Sequence, residues 1–316
     1  VQAVIVSSFG GSDVLQVVER AEPAPGPGQV LIQVEAAGVG SVDVTARNGD
    51  YQPLPEPGFV PGVEAAGTVV AVGAAVDERW VGRRVFALGR NGAYAEAVVA
   101  DLCDVVRLPD GVGAVDAVAL GVNALVAHLA LRRAHVEEGE RVLVRGAGGG
   151  IGLMAAQLAA ASGGVVTAIT SSPERGERLR GLGVTHVRDR TAGRDGGAET
   201  YDVVVDPVAG AELGRHIEAL RPNGRYLLVG AAGGAPAPDA FAGIMTTYHN
   251  SPSLFAFSLN SVDAATVGQA AAELFGRADR GALRAVVEEQ MPLAEARRAH
   301  ERLESTPVFG KIVLCP

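Results

Sequence analysis

Residues Arg141 to Gly152 (Arg-Val-Leu-Val-Arg-Gly-Ala-Gly-Gly-Gly-Ile-Gly) have the composition of a phosphate cradle. The apolar, β-branched lead-in predicts a strand, and Leu153-Met154-Ala155-Ala156-Gln157-Leu158-Ala159 predicts a helix. Between them, glycines permit positive φ and let the backbone approach a pyrophosphate with no Cβ in the way. The helix aims unpaired N–H groups and the positive end of its dipole at the same place. The fingerprint G-x-G-x-x-G is met with one change, as Ala147-x-Gly149-x-x-Gly152. Glycine-rich chains produce such strings by chance, so its weight comes from the strand before it and the helix after it.

A second group follows the next predicted strand, Val165-Val166-Thr167-Ala168-Ile169, in Thr170-Ser171-Ser172-Pro173-Glu174-Arg175. A site for NAD usually ends this strand in a carboxylate that holds the ribose 2′-hydroxyl. A carboxylate against a 2′-phosphate is repelled, by up to ~4 kcal/mol at contact in an intermediate dielectric. The hydroxyls of Ser171 and Ser172 with the fork of Arg175 suit a phosphate better, and Arg190 follows the strand-like His186-Val187-Arg188. NADPH is therefore the expected cofactor, although Glu174 offers a carboxylate for NAD. The alternative roles are local: Ser172 as a helix N-cap, Glu174 as a helix-dipole partner, and two solvated arginines.

The elements that must position these groups change period along the chain. Residues 1–110 read as short strands and turns, an all-β module. In it Val4-Ile5-Val6 pairs with Leu15-Gln16-Val17-Val18, and Val30-Leu31-Ile32-Gln33-Val34 alternates. From about residue 112 a long apolar helix (Val115 to Arg133) leads into alternating β and α segments, which predicts an open parallel sheet with helices on both faces. A helix with Leu213, Ile217 and Leu220 on one face is expected before the strand Arg225–Gly230. Residues 231–238 read by composition as a mobile loop suited to a lid. Gly310-Lys311-Ile312-Val313-Leu314 closes the chain as a strand that rejoins the β module. The expected domains are 1–112 with 256–316, and 113–255.

Composition excludes several classes. The 316 residues carry a net charge of -9, which argues against nucleic acid as a partner. No apolar run of the roughly 18 residues needed to cross a bilayer stands out, and the opening Val1–Val6 has no basic leader pattern. Cys103 and Cys315 form no framework or metal spacing, so a reducing, cytoplasmic setting without membrane association is expected.

Further motifs run the length of the chain. They are Ala37-Gly38-Val39 with Val42-Asp43 and Arg47-x-Gly49-x-Tyr51, Pro61-Gly62-Val63-Glu64-x-x-Gly67, Gly92-Ala93-Tyr94-Ala95-Glu96 and Leu108-Pro109-Asp110-Gly111, followed by the glycine loop and Gly310–Leu314. In this order they resemble the medium-chain dehydrogenase/reductase superfamily, in its zinc-free quinone oxidoreductase branch (the zeta-crystallin type). The resemblance implies an α/β protein with two parts. One is a GroES-like β domain made from both chain ends; the other is a nucleotide-binding domain with a Rossmann-type, doubly wound parallel sheet. It further implies hydride transfer from NADPH to a quinone or an α,β-unsaturated carbonyl compound. Zinc-dependent relatives take ligands from the positions of Gly40 and Val63, which have no donor atom here, so no metal is expected.

By the same resemblance Tyr51, Asp43 and Arg47 are catalytic candidates, with Glu64 as a buried scaffold; the alternative for Tyr51 is to cap the proline-rich stretch Asp50–Pro55. Asn123, Gly146, Ala147, Gly149, Gly150, Ile151, Gly152, Ser171, Ser172, Arg175, Arg190, Gly230 and Lys311 are cofactor contacts. Asp43 and Arg47 lie four apart, so a helix would let them pair structurally. Gly40-Ser41, Thr45 and Val126 replace the Asn-Pro, tyrosine and threonine that relatives often carry. Tyr248 and His249 are reserve candidates, the histidine as a proton donor or as an ordinary surface residue. The rivals are an enoyl reductase of polyketide or other secondary metabolism and a non-catalytic NADPH-binding protein. A homodimer is expected through the alternating edge segment near residues 250–260.

Overall fold

In the computed structural model, residues 1–51, 55–170, 172–190 and 199–316 are described. Ser171 among the expected cofactor contacts lies outside them. The chain divides into two compact units, Val1–Val122 with Asp263–Pro316, and Asn123–Val262.

The second unit is built on six strands: Arg141–Val144, Val165–Thr170, His186–Asp189, Tyr201–Asp206, Leu220–Leu228 and Ser253–Ala256. All pair in parallel, and counted along the chain they lie in the order 3-2-1-4-5-6. Val142, Val144, Val203, Val204 and Val205 expose no surface, as the continuous apolar runs of a sheet covered on both faces require. The helix Gly150–Ala161 is buried along nearly its whole length. The order of strands reverses between Arg141–Val144 and Tyr201–Asp206, which sets a crevice outside their carboxyl ends.

One expectation changes here. The helix Leu213–Glu218 stops before Leu220, which opens the next strand opposite Tyr201. The register then jumps to Arg225 opposite Val203, so residues 221–224 bulge out, with Asn223 at φ 63. The loop after Leu228 bonds to the neighbouring loop: Gly233 N–H donates to the Val208 carbonyl (2.7 Å) and Gly210 N–H to that of Gly234 (3.1 Å).

The first unit centres on a seven-stranded sheet. Its strands lie in the order Val287–Pro292, Lys311–Cys315, Gln29–Val39, Glu64–Val72, Arg84–Leu88 and Val105–Arg107, with Ala97–Asp101 also paired to the long strand Gln29–Val39. Ile312 stands opposite Val39 and Leu314 opposite Ala37, so the late strand Lys311–Cys315 is internal to this sheet. Gln2–Val6 and Leu15–Glu19 form an antiparallel hairpin, with Val4 opposite Val17. This module is not all-β, because Ser41–Asn48 is a helix. The Asp43 carboxylate accepts the N–H of Gly40 at its start, and Gly49 at φ 89 closes it. Its buried residues are Asp43 and Arg47, so the helix lacks the apolar stripe by which a sequence announces one.

Ala114–Arg133 is long and apolar enough to cross a bilayer, contrary to the expectation that no such run exists. Most of it is buried, as in a core helix, and it kinks at Gly121 (φ 8, ψ −119). The kink has a local cause. Val122 N–H donates to the Glu64 carboxylate (2.8 Å), and a Cβ on Gly121 would lie 2.0 Å from that carboxylate.

Candidate functional site

In the second unit the glycine loop starts at the carboxyl end of the first strand. Gly146 takes φ 54, and a Cβ on Gly152 would lie 2.3 Å from the Gly146 carbonyl oxygen, so the turn needs glycine at both positions. Gly146 and Gly149 are exposed, while Ala147 is fully buried. No side chain caps the helix that begins at Gly150, which leaves its first-turn N–H groups for a ligand. The buried Asn123 amide lies over Gly150, where a Cβ would come within 2.4 Å of its nitrogen. Gly230 packs against Pro207 in the neighbouring loop. The structure thus gathers Asn123, Gly146, Ala147, Gly149, Gly150, Ile151, Gly152 and Gly230 around the point where the strand order reverses.

Ser172 caps the helix Pro173–Arg180 by accepting from Arg175 N–H (3.3 Å), with proline at the first helical position. Its hydroxyl donates to Glu174 (2.5 Å), which holds that carboxyl below its ordinary range. The Arg190 N–H donates to the Thr170 carbonyl (2.7 Å), so Arg190 leaves its strand beside the Ser172 turn. Ser172 and Arg190 therefore follow the carboxyl ends of adjacent strands, with Glu174 and Arg175 in the first turn of the helix that Ser172 caps. Tyr248 and His249 are exposed and stack edge to face on each other, 6.1 Å apart.

Two ion pairs in the second unit, one of them beside the crevice, escaped the sequence reading. Arg145 and Asp206 pair at 2.6 Å with side chains 8% and 0% exposed. Arg145 also donates to the Ala209 carbonyl (3.0 Å), while Asp206 accepts from Tyr226 and from the N–H groups of Val208 (2.8 Å) and Ala209 (3.0 Å). Nearby His216 is buried, and desolvation followed by the Arg145 charge lowers its pKa to about 3. Farther down the sheet, Arg225 grips Glu140 with two bonds of 2.6 and 2.7 Å. The signal available was a charged residue at each strand end, Arg145 before the glycines and Asp206 after three valines.

In the first unit the expected catalytic residues are mostly interior. Arg47 is 1% exposed, and all five donors are engaged: Nε to the Gly10 carbonyl, Nη1 to His300 and Glu304, Nη2 to Asn48 and Glu304. It makes its ion pair with Glu304 at 2.8 Å rather than with Asp43, and none of its donors remains for a substrate. Because arginine only donates, His300 accepts at Nδ1, and a neutral ring then carries its proton on Nε2, 3.2 Å from the Tyr94 hydroxyl. Burial and the Arg47 charge lower the His300 pKa to about 4, consistent with that neutral ring. Tyr94 in turn donates to Asp43 (3.3 Å).

Asp43 is 1% exposed, and burial raises its pKa to about 6 despite Lys311 and the Gly40 N–H. Its Oδ1 has no hydrogen-bond partner among the described residues. Lys311 pairs with Glu64 at 2.5 Å, both buried. Gly38 makes room for this pair, since a Cβ there would lie 2.4 Å from Glu64 and 2.7 Å from the Lys311 chain. Tyr51 is half-buried, and its neighbours 52–54 lie outside the described residues. The Thr45 hydroxyl is turned back to the Ser41 carbonyl (2.9 Å). The donor set does not fit a catalytic zinc: Gly40 and Val63 offer no ligand atom, and the buried carboxylate next to Val63, Glu64, is held by Lys311.

These two units, a GroES-like β unit and a Rossmann-type nucleotide fold, define the class. Residues 26–110 match the model of the alcohol dehydrogenase GroES-like domain, and residues 182–314 match one described as zinc-binding dehydrogenase. The quinone oxidoreductase of Lama guanicoe is 34% identical over 325 residues, covering 99% of this chain and 97% of that protein. A human protein named synaptic vesicle membrane protein VAT-1 homolog is 29% identical over 339 residues, covering all of this chain and 86% of the relative. Among solved structures, the quinone oxidoreductase of Thermus thermophilus, determined also in complex with NADPH, superposes with a TM-score of 0.86 at 31% identity over the full length of both chains. The chain belongs to the medium-chain dehydrogenase/reductase superfamily, in its zinc-free quinone oxidoreductase branch.

Proposed function

We propose that this chain is an NADPH-dependent, metal-independent oxidoreductase whose substrate is a quinone or an α,β-unsaturated carbonyl compound. The observation that carries the reading is the convergence at the carboxyl ends of the first three strands: an uncapped helix start behind exposed glycines, with Ser172 and Arg190 just past the adjoining strands and Arg175 in the first turn of the helix that Ser172 caps. The glycine loop and the first-turn N–H groups would hold the pyrophosphate, and Ser172, Arg175 and Arg190 the 2′-phosphate. Glu174 must release Ser172 for that phosphate to enter. Bound there, NADPH supplies a hydride to the electrophilic carbon of the substrate.

Lys311 is assigned to cofactor contact and Tyr51 to the substrate oxygen, because its phenol is a donor that can stabilise a developing oxyanion. Asp43 keeps a part through its raised pKa and its Oδ1, which has no partner among the described residues. Arg47 is assigned instead to holding the helix Ser41–Asn48 in place. The edge strand Ser253–Ala256, paired on one side to Leu220–Leu228, supports a homodimer, and sedimentation tests it. A cytoplasmic location is part of the same reading.

The test is fluorescence titration of the metal-free protein with NADPH and NADH, repeated on Arg175→Ala. Tighter NADPH binding that collapses in the variant supports the assignment, and equal binding of both that ignores the mutation removes it. NADPH oxidation by 9,10-phenanthrenequinone argues against a non-catalytic binder, and comparison with enoyl thioesters separates a quinone reductase from an enoyl reductase.

A further inference from the structure

Three loops meet where the strand order reverses in the second unit: the glycine loop, residues 206–210, and residues 230–234. They touch directly. A Cβ on Gly146 would stand 2.8 Å from the Val208 side chain, and one on Gly230 would stand 2.8 Å from the Pro207 carbonyl oxygen. Gly233 N–H bonds the Val208 carbonyl at 2.7 Å. One carboxylate with no exposed surface holds the centre of this arrangement. Asp206 Oδ1 takes the N–H groups of Val208 and Ala209, and Oδ2 takes Arg145 and the Tyr226 hydroxyl. The bonds reach three adjacent strands: Arg145 follows the first, Asp206 ends the fourth, and Tyr226 lies in the fifth. Arg145 closes the circuit by donating to the Ala209 carbonyl, and Ala209 is itself held at φ 55, a conformation that a non-glycine residue keeps only when its surroundings impose it.

We propose that the buried Arg145–Asp206–Tyr226 cluster is a positioning device for the dinucleotide, fixing the glycine loop against the 206–210 loop across the crevice. This rests on the reading of that crevice as the NADPH site. Two physical consequences follow. The Arg145 charge neutralises a buried carboxylate at the end of the strand beside the crevice where pyrophosphate charge arrives. The backbone of both loops is set before the ligand binds, so little ordering entropy is lost on binding. None of the three residues needs to touch the cofactor. They act through the loops they hold.

The experiment compares Asp206→Asn, Tyr226→Phe and Arg145→Lys with the wild type, measuring the NADPH dissociation constant by fluorescence and, alongside it, Tm without cofactor. Asp206→Asn keeps an acceptor for the two N–H groups but removes the charge. Tyr226→Phe removes one hydroxyl and keeps the ring, so it remains informative if the first variant fails to fold. The expected result is a roughly tenfold rise in the dissociation constant for Asp206→Asn (a loss of about 1.4 kcal/mol). Tyr226→Phe should show a smaller rise, and Arg145→Lys should partly preserve affinity. A merely structural cluster would lower Tm and leave the dissociation constant of the folded protein unchanged, and that outcome overturns the inference. A wild-type protein that binds no NADPH overturns the cofactor reading and this inference with it, whereas tight wild-type binding retained in all three variants overturns this inference alone.

Discussion

Replacing Lys311 with methionine removes a single cation from a place where two carboxylates are buried. Glu64 has no exposed surface, and Lys311 is its counterion at 2.5 Å. Asp43 lies beside them, with Lys311 the largest influence opposing the rise that burial imposes on its pKa. With lysine present the trio carries a net charge of about -1 when both acids are ionised; without it, about -2. Breaking a buried ion pair by removing one partner costs about 3–5 kcal/mol, because the remaining charge stays desolvated. Lys311→Met should therefore lose about that much stability at pH 8.

The loss should depend on pH in a defined direction. Asp43 already titrates near 6, above its ordinary 3.8, and losing Lys311 raises it further. A native state that keeps a proton which the unfolded chain releases is favoured by acid. The deficit should therefore be smallest near pH 4 and grow as pH rises through 6. Urea unfolding followed by Trp80, the one tryptophan and a member of the same unit, measures it. Adding Glu64→Gln should restore about 2 kcal/mol, since the amide oxygen still accepts the Val122 N–H without an orphan charge. A Lys311→Met protein within about 1 kcal/mol of wild type at pH 8, or a deficit equal at pH 4.5 and 8, refutes the reasoning.

Other perturbations are specific to their sites. Arg175→Ala should weaken NADPH binding roughly 10- to 100-fold, the worth of a hydrogen bond to a charged group, while Glu174→Gln should tighten it by freeing Ser172; titration of each variant with NADPH and NADH checks both. Buried His300 and His216, with pKa values lowered to about 4 and about 3, each take up a proton on unfolding below the ordinary 6.5. Stability should accordingly rise with pH up to about 6.5, with roughly 3 kcal/mol from His300 alone, opposed between 3.8 and about 6 by Asp43. Urea midpoints at pH 4.5 and 6.5 test this, with Asp43→Asn expected to steepen the rise. Gly152→Ala places a Cβ 2.3 Å from the Gly146 carbonyl oxygen, and NADPH binding should be lost in a protein whose circular dichroism is unchanged.

The parallel sheet and its glycine loop were legible because their signals are local: runs of buried valine, then glycines whose lack of Cβ is required within a few residues. The motif Ala37-Gly38-Val39 was legible as a pattern but not as a cause. Its glycine exists to make room for Glu64 and Lys311, which are far apart in the chain. The helix Ser41–Asn48 was hidden because it buries an acid and a guanidinium instead of leucines. For the same reason Arg47 looked available for chemistry, since nothing near it announces Glu304 or His300. Leu220 fitted a helical face, and only pairing with Tyr201 draws it into the sheet. Whatever depended on partners distant in sequence and polar in kind stayed out of reach of periodicity.

The late strand Lys311–Cys315 lies between Gln29–Val39 and Val287–Pro292, inside a sheet whose other central strands are made within the first 90 residues. During synthesis, therefore, the β unit must wait. Until that strand emerges, one side of Gln29–Val39 near Ala37 is an unsatisfied edge, and Glu64 has a buried place but no counterion. The contiguous segment 123–262 has no such dependence and can complete its sheet while the ribosome is still working. Pairings across nearly the whole chain also make the β unit the slower of the two to assemble. A nascent chain halted before residue 311 would thus carry a finished nucleotide fold beside an open β edge, the form most in need of a chaperone.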